Sequence, residues 1–283
     1  MIYKVSNLKK IKIYMNRYPY KTAEEIKKEL DCDLIFNGQF FNMKDGSPCQ
    51  TLKVDGEILS YEGVDYTGFG WNGDGSEGLI WTNDRFAVDN LMTCNALLRN
   101  GQKLSLDGLP ENTKRGKMAM GTGGGCLYVF GAQDGTEDIC TLNTLQDHFL
   151  KLGCTHAMAL DGGGSVTLLG NKGCLEQKRF PLYIFVCVWG DIEELPRSVL
   201  GDDGKTIYRV QCGAFVKQAS AVAYRDKIRA LDDNIGAGYA NAYVRKVGLF
   251  YKVQVGAYSK IESAQRVQAD LQGMGVSAFI AKE

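Results

Sequence analysis

Three consecutive glycines follow an aspartate in Asp161-Gly162-Gly163-Gly164-Ser165. Each glycine loses much backbone entropy on folding, so a triplet is kept where the chain must pass close to a partner. Successive N–H groups there can form a nest for an oxyanion or phosphate. An aspartate at the entrance is a placed carboxylate, able to act as acid, base or nucleophile, or to accept from a sugar hydroxyl. A tight turn closed by an Asx-type bond is the structural alternative. The segment is not a P-loop, because no Gly-Lys-Ser/Thr follows. Two further segments carry chemistry. In Asn37-Gly38-Gln39-Phe40-Phe41-Asn42 the first amide can both donate and accept toward a polar ligand. A plain Asn-Gly turn followed by core aromatics accounts for the same residues. In Thr113-Lys-Arg-Gly-Lys-Met-Ala-Met-Gly121, Arg115 and Lys117 are one residue apart and share a face if the segment is a strand. Two cations so placed can clamp a phosphodiester; a solvated charge pair is the alternative.

Composition narrows the chemistry further. The chain has only two histidines, His148 and His156, which excludes a multi-histidine zinc site. His148 lies on a helix flank between Leu145 and Leu152 and reads as a packing residue. His156 stands five residues before Asp161, on the opposite face of an unbulged strand. No metal or other cofactor is predicted. The nine cysteines are odd in number and form no C-x-x-C pair, so they read as small buried thiols folded in a reducing compartment. With 33 basic and 33 acidic residues, 45 % hydrophobic and 23 % charged, the 283-residue chain is a globular protein of one large or two smaller domains. No apolar run can span a bilayer, and Met1 to Arg17 lacks the apolar core and cleavage site of a signal peptide.

These residues need elements to hold them. Thr22 to Leu30 has the pattern of a capped helix, with Glu25 three residues after Thr22. Leu34-Ile-Phe36 is a short apolar strand that delivers Asn37. Thr51 to Ile58 reads as a hairpin turning at Asp55-Gly56. Thr141 to Leu152 is a helix with one apolar stripe, ended by Gly153. Cys154 to Leu160 is then the strand that runs into Asp161. Val64 to Asp84, with four aromatics and many glycines, reads as irregular loop or short strands. Beyond it, Tyr208-Arg-Val-Gln-Cys-Gly-Ala-Phe215 recurs 43 residues later as Tyr251-Lys-Val-Gln-Val-Gly-Ala-Tyr258. A helical pattern and a short strand follow each copy, near Ala219–Leu231 with Ala242–Arg245, and near Glu262–Gln272 with Ser277–Ile280. The order βαββαβ is the split-βαβ, ferredoxin-like arrangement, its middle strands forming a hairpin at Gly248-Leu249. The acidic stretch 191–205 reads as the linker, giving domains 1–190 and 206–283. The part from Thr206 onward nets +5 and the part before it −5, so the small domain suits a polyanionic partner. The fold class is α+β: a mixed α/β domain followed by a small βαββαβ domain.

Taken together, N-G-Q-F-F, N-A-L-L-R-N-G, K-M-A-M-G, a Leu-rich helix ending L-G-C, A-M-A-L-D-G-G-G-S-V-T-L-L and a late arginine resemble the phosphodiester glycosidase family over Asp33 to Trp189. The resemblance implies hydrolysis of a sugar-1-phosphodiester at its glycosidic bond. It implies catalytic roles for Asp161, Asn37, Lys117 or the nearby Arg115, and Arg179. It implies substrate contacts from Gly38, Phe41, Gly162, Gly163, Gly164 and Ser165. The family's N-G-G-F-F has Gln39 for its second glycine here, and its R-T-A-I-G has Lys117 for its arginine. Arg115 is two residues off and can substitute for that arginine, since a guanidinium grips phosphate in two places. The repeat, with V-Q-C-G-A-F and V-Q-V-G-A-Y, resembles the SPOR domain. That implies binding of peptidoglycan glycan strands across the sheet, with Gln211 and Gln254 as the matching polar positions. An RNA-binding reading shares the topology, but the paired sheet aromatics are missing, so nucleic acid is not expected.

Both halves point to a polysaccharide of the bacterial envelope. The chain is expected to be a wall-targeted glycosidase, made in the cytoplasm and acting at the cell wall, as a phage lysin released by lysis would. The alternative is a wall-glycan-binding protein without turnover. A glycosidase generally uses two carboxyl groups; Asp161 is one, and Asp45 and Asp65 are candidates for the second. No sequence signal bears on oligomeric state.

Overall fold

Thr22 shows how local chemistry starts an element. Its hydroxyl accepts from the Glu25 backbone N–H at 3.3 Å, and the Glu25 carboxylate accepts from the Thr22 N–H at 2.7 Å. This reciprocal cap opens helix α1 (Ala23–Leu30), whose Ile26 is fully buried. Thr22→Ala removes the hydroxyl half of the cap and is expected to cost about 1 kcal/mol, read as a lower urea midpoint.

The computed structural model describes every residue except 62, 65, 137, 172, 201–207, 232–241, 259–260 and 283. The chain opens with strand β1 (Ile2–Met15) and, after α1, β2 (Leu34–Asn37). Next come β3 (Leu52–Val54), β4 (Glu57–Ser60), β5 (Gly68–Trp71), β6 (Ile80–Thr82) and β7 (Asn90–Thr93). Then follow β8 (Asn95–Arg99), β9 (Gln102–Lys103), β10 (Lys117–Gly123), β11 (Cys126–Ala132), helix α2 (Leu142–Lys151) and β12 (His156–Ala159). The first unit closes with β13 (Leu168–Leu169), β14 (Cys174–Leu175) and β15 (Ile184–Glu194). Among the described residues these strands form a ten-stranded sheet, ordered β14-β13-β2-β15-β1-β11-β10-β12-β8-β9, and a five-stranded sheet, ordered β4-β3-β7-β5-β6.

Alternation along the strands splits the large sheet into two buried faces. Met118, Met120, Met158 and Val186 pack against Leu52, Phe69, Trp71 and Met92 of the small sheet. On the opposite face Ala119, Ala157 and Phe130 meet Leu142, Leu145 and Phe149 of α2, while Ile35 and Phe185 meet Ile26 of α1. Gly121 is required there: a Cβ would lie 2.6 Å from a ring carbon of Phe149.

One sequence expectation is resolved and another changes. Of the two readings of Val64 to Asp84, short strands hold: the stretch contains β5 and β6. Its glycines hide the strand pattern because the neighbouring backbone presses on them: a Cβ at Gly68 would lie 2.1 Å from the Met92 carbonyl oxygen. The acidic linker also starts later than 191. Asp191 to Glu194 continue β15, paired with Ser6 to Tyr3 of β1, and Leu200 is buried with the α2 side of the core. Contacts divide the chain into units Met1–Gly201 and Asp202–Glu283.

The second unit comprises β16 (Tyr208–Phe215), α3 (Gln218–Ala230), β17 (Ala242–Val247), β18 (Phe250–Tyr258), α4 (Ile261–Gly273) and β19 (Phe279–Lys282). The sheet order β17-β18-β16-β19 is that of the ferredoxin-like arrangement. Gly248, at φ +57°, turns the middle hairpin. Val210, Cys212, Val253 and Val255 meet Ala221, Ile228, Ala264 and Leu271 of the two helices.

Candidate active site

Strand β12 sets the position of Asp161. Its last sheet bond is Leu160 N–H to the Met118 carbonyl at 2.7 Å, so Asp161 leaves the sheet one residue later. The Asp161 N–H then donates to the Gly38 carbonyl at 3.1 Å. Asn37 fixes the same residue from its side chain. Its Nδ2 donates to the Asp161 carbonyl at 2.8 Å, and its Oδ1 accepts from the Thr167 N–H at 3.0 Å. Asn37 is buried, with both ends of its amide used inside the protein. In this structure it holds the Asp161 backbone. Gly38 is glycine because a Cβ there would lie 2.6 Å from Ile184 Cγ2.

The triple glycine serves a different purpose from an amide cradle. The Gly163 N–H is committed to the Gly116 carbonyl at 2.9 Å, the Ser165 N–H to the Gly162 carbonyl at 3.2 Å, and the Gly162 N–H turns back on the Asp161 carboxylate. What the missing Cβ atoms provide is close approach: of the Gly116 carbonyl, 2.7 Å from a Cβ on Gly162, and of a guanidinium at Gly163. A Cβ at Gly163, where φ is +57°, would lie 2.2 Å from Arg115 Nη2. One at Gly164 would lie 3.4 Å from Arg179 Nη2. Arg179 Nη1 donates to Ser165 Oγ at 3.1 Å and also contacts Met43 Sδ at 3.3 Å. Two arginines thus close on the loop that carries one carboxylate. Burial pushes the Asp161 carboxyl above the ordinary carboxylate range; the Ser165 hydroxyl, Arg179, the Gly162 N–H and Arg115 pull it partly back. With Asp161 ionised, the cluster keeps one formal positive charge, which a phosphodiester monoanion would neutralise.

The loop bearing Arg115 is pinned at several points. Arg115 exchanges backbone hydrogen bonds with Cys140, and the Gly116 N–H donates to the Asp134 carboxylate. Lys117 is buried, and its ammonium donates to the Thr113 carbonyl at 2.8 Å. Desolvation holds that ammonium below its usual range. Among the charged groups, Arg179 and then Arg115 act most strongly on Asp161.

Other candidates fall elsewhere. The Asp45 carboxylate closes a turn on itself, accepting from the Ser47 N–H at 2.9 Å and hydroxyl at 2.6 Å. Asp65 lies outside the described residues. His148 packs its ring on Phe130, and His156 stacks on Trp81 while bonding Asn100 and Thr155. Phe41 packs edge-on to Tyr183 at 4.9 Å. Thr167 and Gly116 belong to the site's framework but carry no sequence signal of their own, since both act through backbone groups.

In the second unit Gln211 and Gln254 are direct cross-strand partners on the sheet face away from the helices. Both are buried, and Gln254 Oε1 accepts from the Tyr243 hydroxyl at 3.3 Å. Among the described residues Gln211 Oε1 and Gln254 Nε2 have no hydrogen-bond partner. Such atoms gain most from a polar ligand that completes their bonding. Arg209, Tyr243 and the exposed Phe279 lie on the same face.

Residues 31–186 match the phosphodiester glycosidase family, and residues 204–282 match the SPOR domain. No curated protein matches the chain. Among solved structures, one similar fold is the catalytic domain of zebrafish N-acetylglucosamine-1-phosphodiester α-N-acetylglucosaminidase, auto-inhibited by its pro-peptide. It is 18 % identical, over 64 % of this chain and 73 % of that one, with a TM-score of 0.52. A hypothetical protein from Synechocystis is 10 % identical, over 64 % of this chain and 56 % of that one, with a TM-score of 0.53. Both likenesses are of fold. The peptidoglycan-binding domain of the B. subtilis cell wall lytic enzyme CwlC is 26 % identical over 32 % of this chain and 98 % of that domain, with a TM-score of 0.23.

Proposed function

The chain belongs to the phosphodiester glycosidase family, and from that premise we propose that it hydrolyses a sugar-1-phosphodiester in bacterial wall polysaccharide. The observation that carries this reading is the closure of Arg115 and Arg179 on the glycine loop beside Asp161. In the proposed reaction the two guanidinium groups hold the phosphodiester oxygens. Water attacks the anomeric carbon as the bond from that carbon to the bridging oxygen breaks, and the proton it loses passes to solvent, from which Asp161 is re-protonated after product release. Asp161, kept protonated to higher pH by burial, gives its proton to the departing phosphate oxygen. The guanidinium groups carry the charge that develops there. Ser165 orients both Arg179 and Asp161, and Asn37 fixes the backbone beneath them.

The SPOR domain gives the wall-directed half of the proposal. Its buried, unpaired amide atoms on Gln211 and Gln254 suit the hydroxyl and acetamido groups of a glycan strand. Nine cysteines, odd in number and without a C-x-x-C pair, favour synthesis in a reducing compartment, with access to the wall after lysis, as in a phage lysin. Untagged protein accumulating outside intact, uninfected cells would contradict that route.

The direct test is incubation of the full chain with bacterial sacculi, with and without attached phosphodiester polymers, followed by mass analysis of the soluble fraction. Sugar or phosphosugar should appear with the wild type and vanish with Asp161→Asn. Pelleting of both proteins with sacculi, with no release from either substrate, overturns hydrolysis and leaves a glycan-binding protein.

A further inference from the structure

Away from the carboxylate lies an aromatic trough that the proposed chemistry does not use. Its floor is tied by Asn16, at the end of the region opened by β1. Asn16 Nδ2 donates to the Lys21 carbonyl at 2.8 Å and the Leu182 carbonyl at 2.7 Å, and its Oδ1 accepts from the Lys21 N–H. This one buried amide joins two segments distant in sequence, Tyr18-Pro19-Tyr20 and Phe180-Pro181-Leu182-Tyr183. Their rings form a continuous edge-to-face series. Tyr20 meets Tyr18 at 6.0 Å, Phe180 at 6.5 Å and Tyr183 at 5.5 Å. Tyr18 is 85 % exposed and Phe180 57 %. Tyr18, Tyr20, Tyr183 and Asp45 line a groove of about 290 Å³, and Phe180 borders it through its contact with Tyr20.

We infer that this trough binds a pyranose residue of the wall glycan next to the linkage being cleaved. The inference rests on the glycosidase reading and extends it to the substrate's neighbouring sugar. Rings held this far into water contribute little to the core, and exposed apolar surface rimmed by polar groups marks a ligand groove. The volume lies near the lower end of the roughly 300–1,000 Å³ range of ligand pockets. Tyrosine offers an apolar face to sugar C–H groups and a hydroxyl to sugar hydroxyls. A carboxylate in the same groove accepts from further hydroxyls. Continuity with the candidate active site identifies the occupant. Phe180 follows Arg179 in the chain, and Phe41 packs on Tyr183 at 4.9 Å. Met43, two residues beyond Phe41, touches the Arg179 guanidinium. The second unit is a SPOR domain, so the ligand presented to the first unit is a polymer that extends past one sugar.

The test uses the full-length Asp161→Asn chain with isotope-labelled tyrosine rings, titrated with a soluble peptidoglycan tetrasaccharide free of stem peptides. Ring resonances of Tyr18, Tyr20 and Tyr183 should move saturably. Tyr18→Ala, on the most exposed ring of the groove, should weaken the Tyr20 and Tyr183 response about tenfold while leaving the Tyr243 response of the second unit unchanged. Still resonances at Tyr18, Tyr20 and Tyr183 up to millimolar tetrasaccharide overturn the inference. So does movement that Tyr18→Ala leaves intact, or movement that tracks protein concentration without sugar, which would make the trough a contact between copies. Because the titrated variant has its carboxylate removed, the result is independent of turnover. Failure of the glycosidase reading would appear instead as absent release by the wild type with this binding retained.

Discussion

Asp161→Asn is expected to lower the rate of wall-polymer hydrolysis by about 10²–10⁴-fold while raising the melting temperature at neutral pH. The rate loss is the ordinary contribution of a positioned proton donor. The gain in stability follows from the sign of the carboxyl's displacement. Burial raises Asp161 above its unfolded value of 3.8, so the folded state binds this proton more tightly than the unfolded chain does. Its contribution to stability is complete below the unfolded value and is lost as pH rises through the folded one. Asparagine carries no such titration. The variant should therefore match the wild type near pH 3, separate from it as pH rises past the folded value, and stay more stable thereafter. Thermal melts of both proteins across pH 3 to 8 measure this directly. In the wild type the basic limb of the pH–rate profile should lie above the ordinary carboxylate range. An Asn variant with unchanged rate would remove Asp161 from the chemistry.

Gly163→Ala is expected to lower kcat/KM on a phosphodiester substrate by roughly 10- to 150-fold, the equivalent of one charge-assisted hydrogen bond. The added Cβ would stand 2.2 Å from Arg115 Nη2. The guanidinium is the free end of a flexible side chain, so it yields rather than the backbone, and it yields away from the phosphate. The left-handed φ of +57° adds about 1–2 kcal/mol of strain. The melting temperature should therefore fall by only a few degrees, whereas the catalytic loss is large. Gly164→Ala is the internal comparison. Its Cβ would sit 3.4 Å from Arg179, an ordinary contact, and at a permitted φ. Its kcat/KM should stay within a few-fold of wild type. Equal losses in the two alanine variants would show that the arginine approach is not what the glycines are for.

Local signals were legible where neighbours in sequence are neighbours in space. The Thr22–Glu25 cap, the Asp55-Gly56 turn and the 43-residue repeat are of this kind, and each stands where its residues place it. Position was legible at the site before purpose was. Entropy marks Gly162 to Gly164 as a place of close approach, yet which group approaches depends on Arg115 and Arg179, far away in sequence. Asn37 has the right type to touch a ligand, but Thr167, 130 residues on, turns its amide inward. Arg115 and Lys117 were legible as a cationic pair. The Thr113 carbonyl and the surrounding core then separate them, leaving the guanidinium beside Gly163 and burying the ammonium. The aromatic trough was illegible because Asn16 assembles it from two ends of the first unit.

The place of β1 has a consequence for synthesis. Its two sheet neighbours, β11 and β15, are both made long after its 14 residues, so its second edge is covered only when Ile184 to Glu194 arrive. At about 5–20 residues per second that delay is roughly ten to forty seconds. Through it the nascent chain carries an amphipathic, lysine-bearing strand with one edge still open and its apolar face uncovered, the kind of surface that chaperones hold. The growing polypeptide, more than the finished protein, is then the aggregation-sensitive species, and translation rate becomes a determinant of soluble yield.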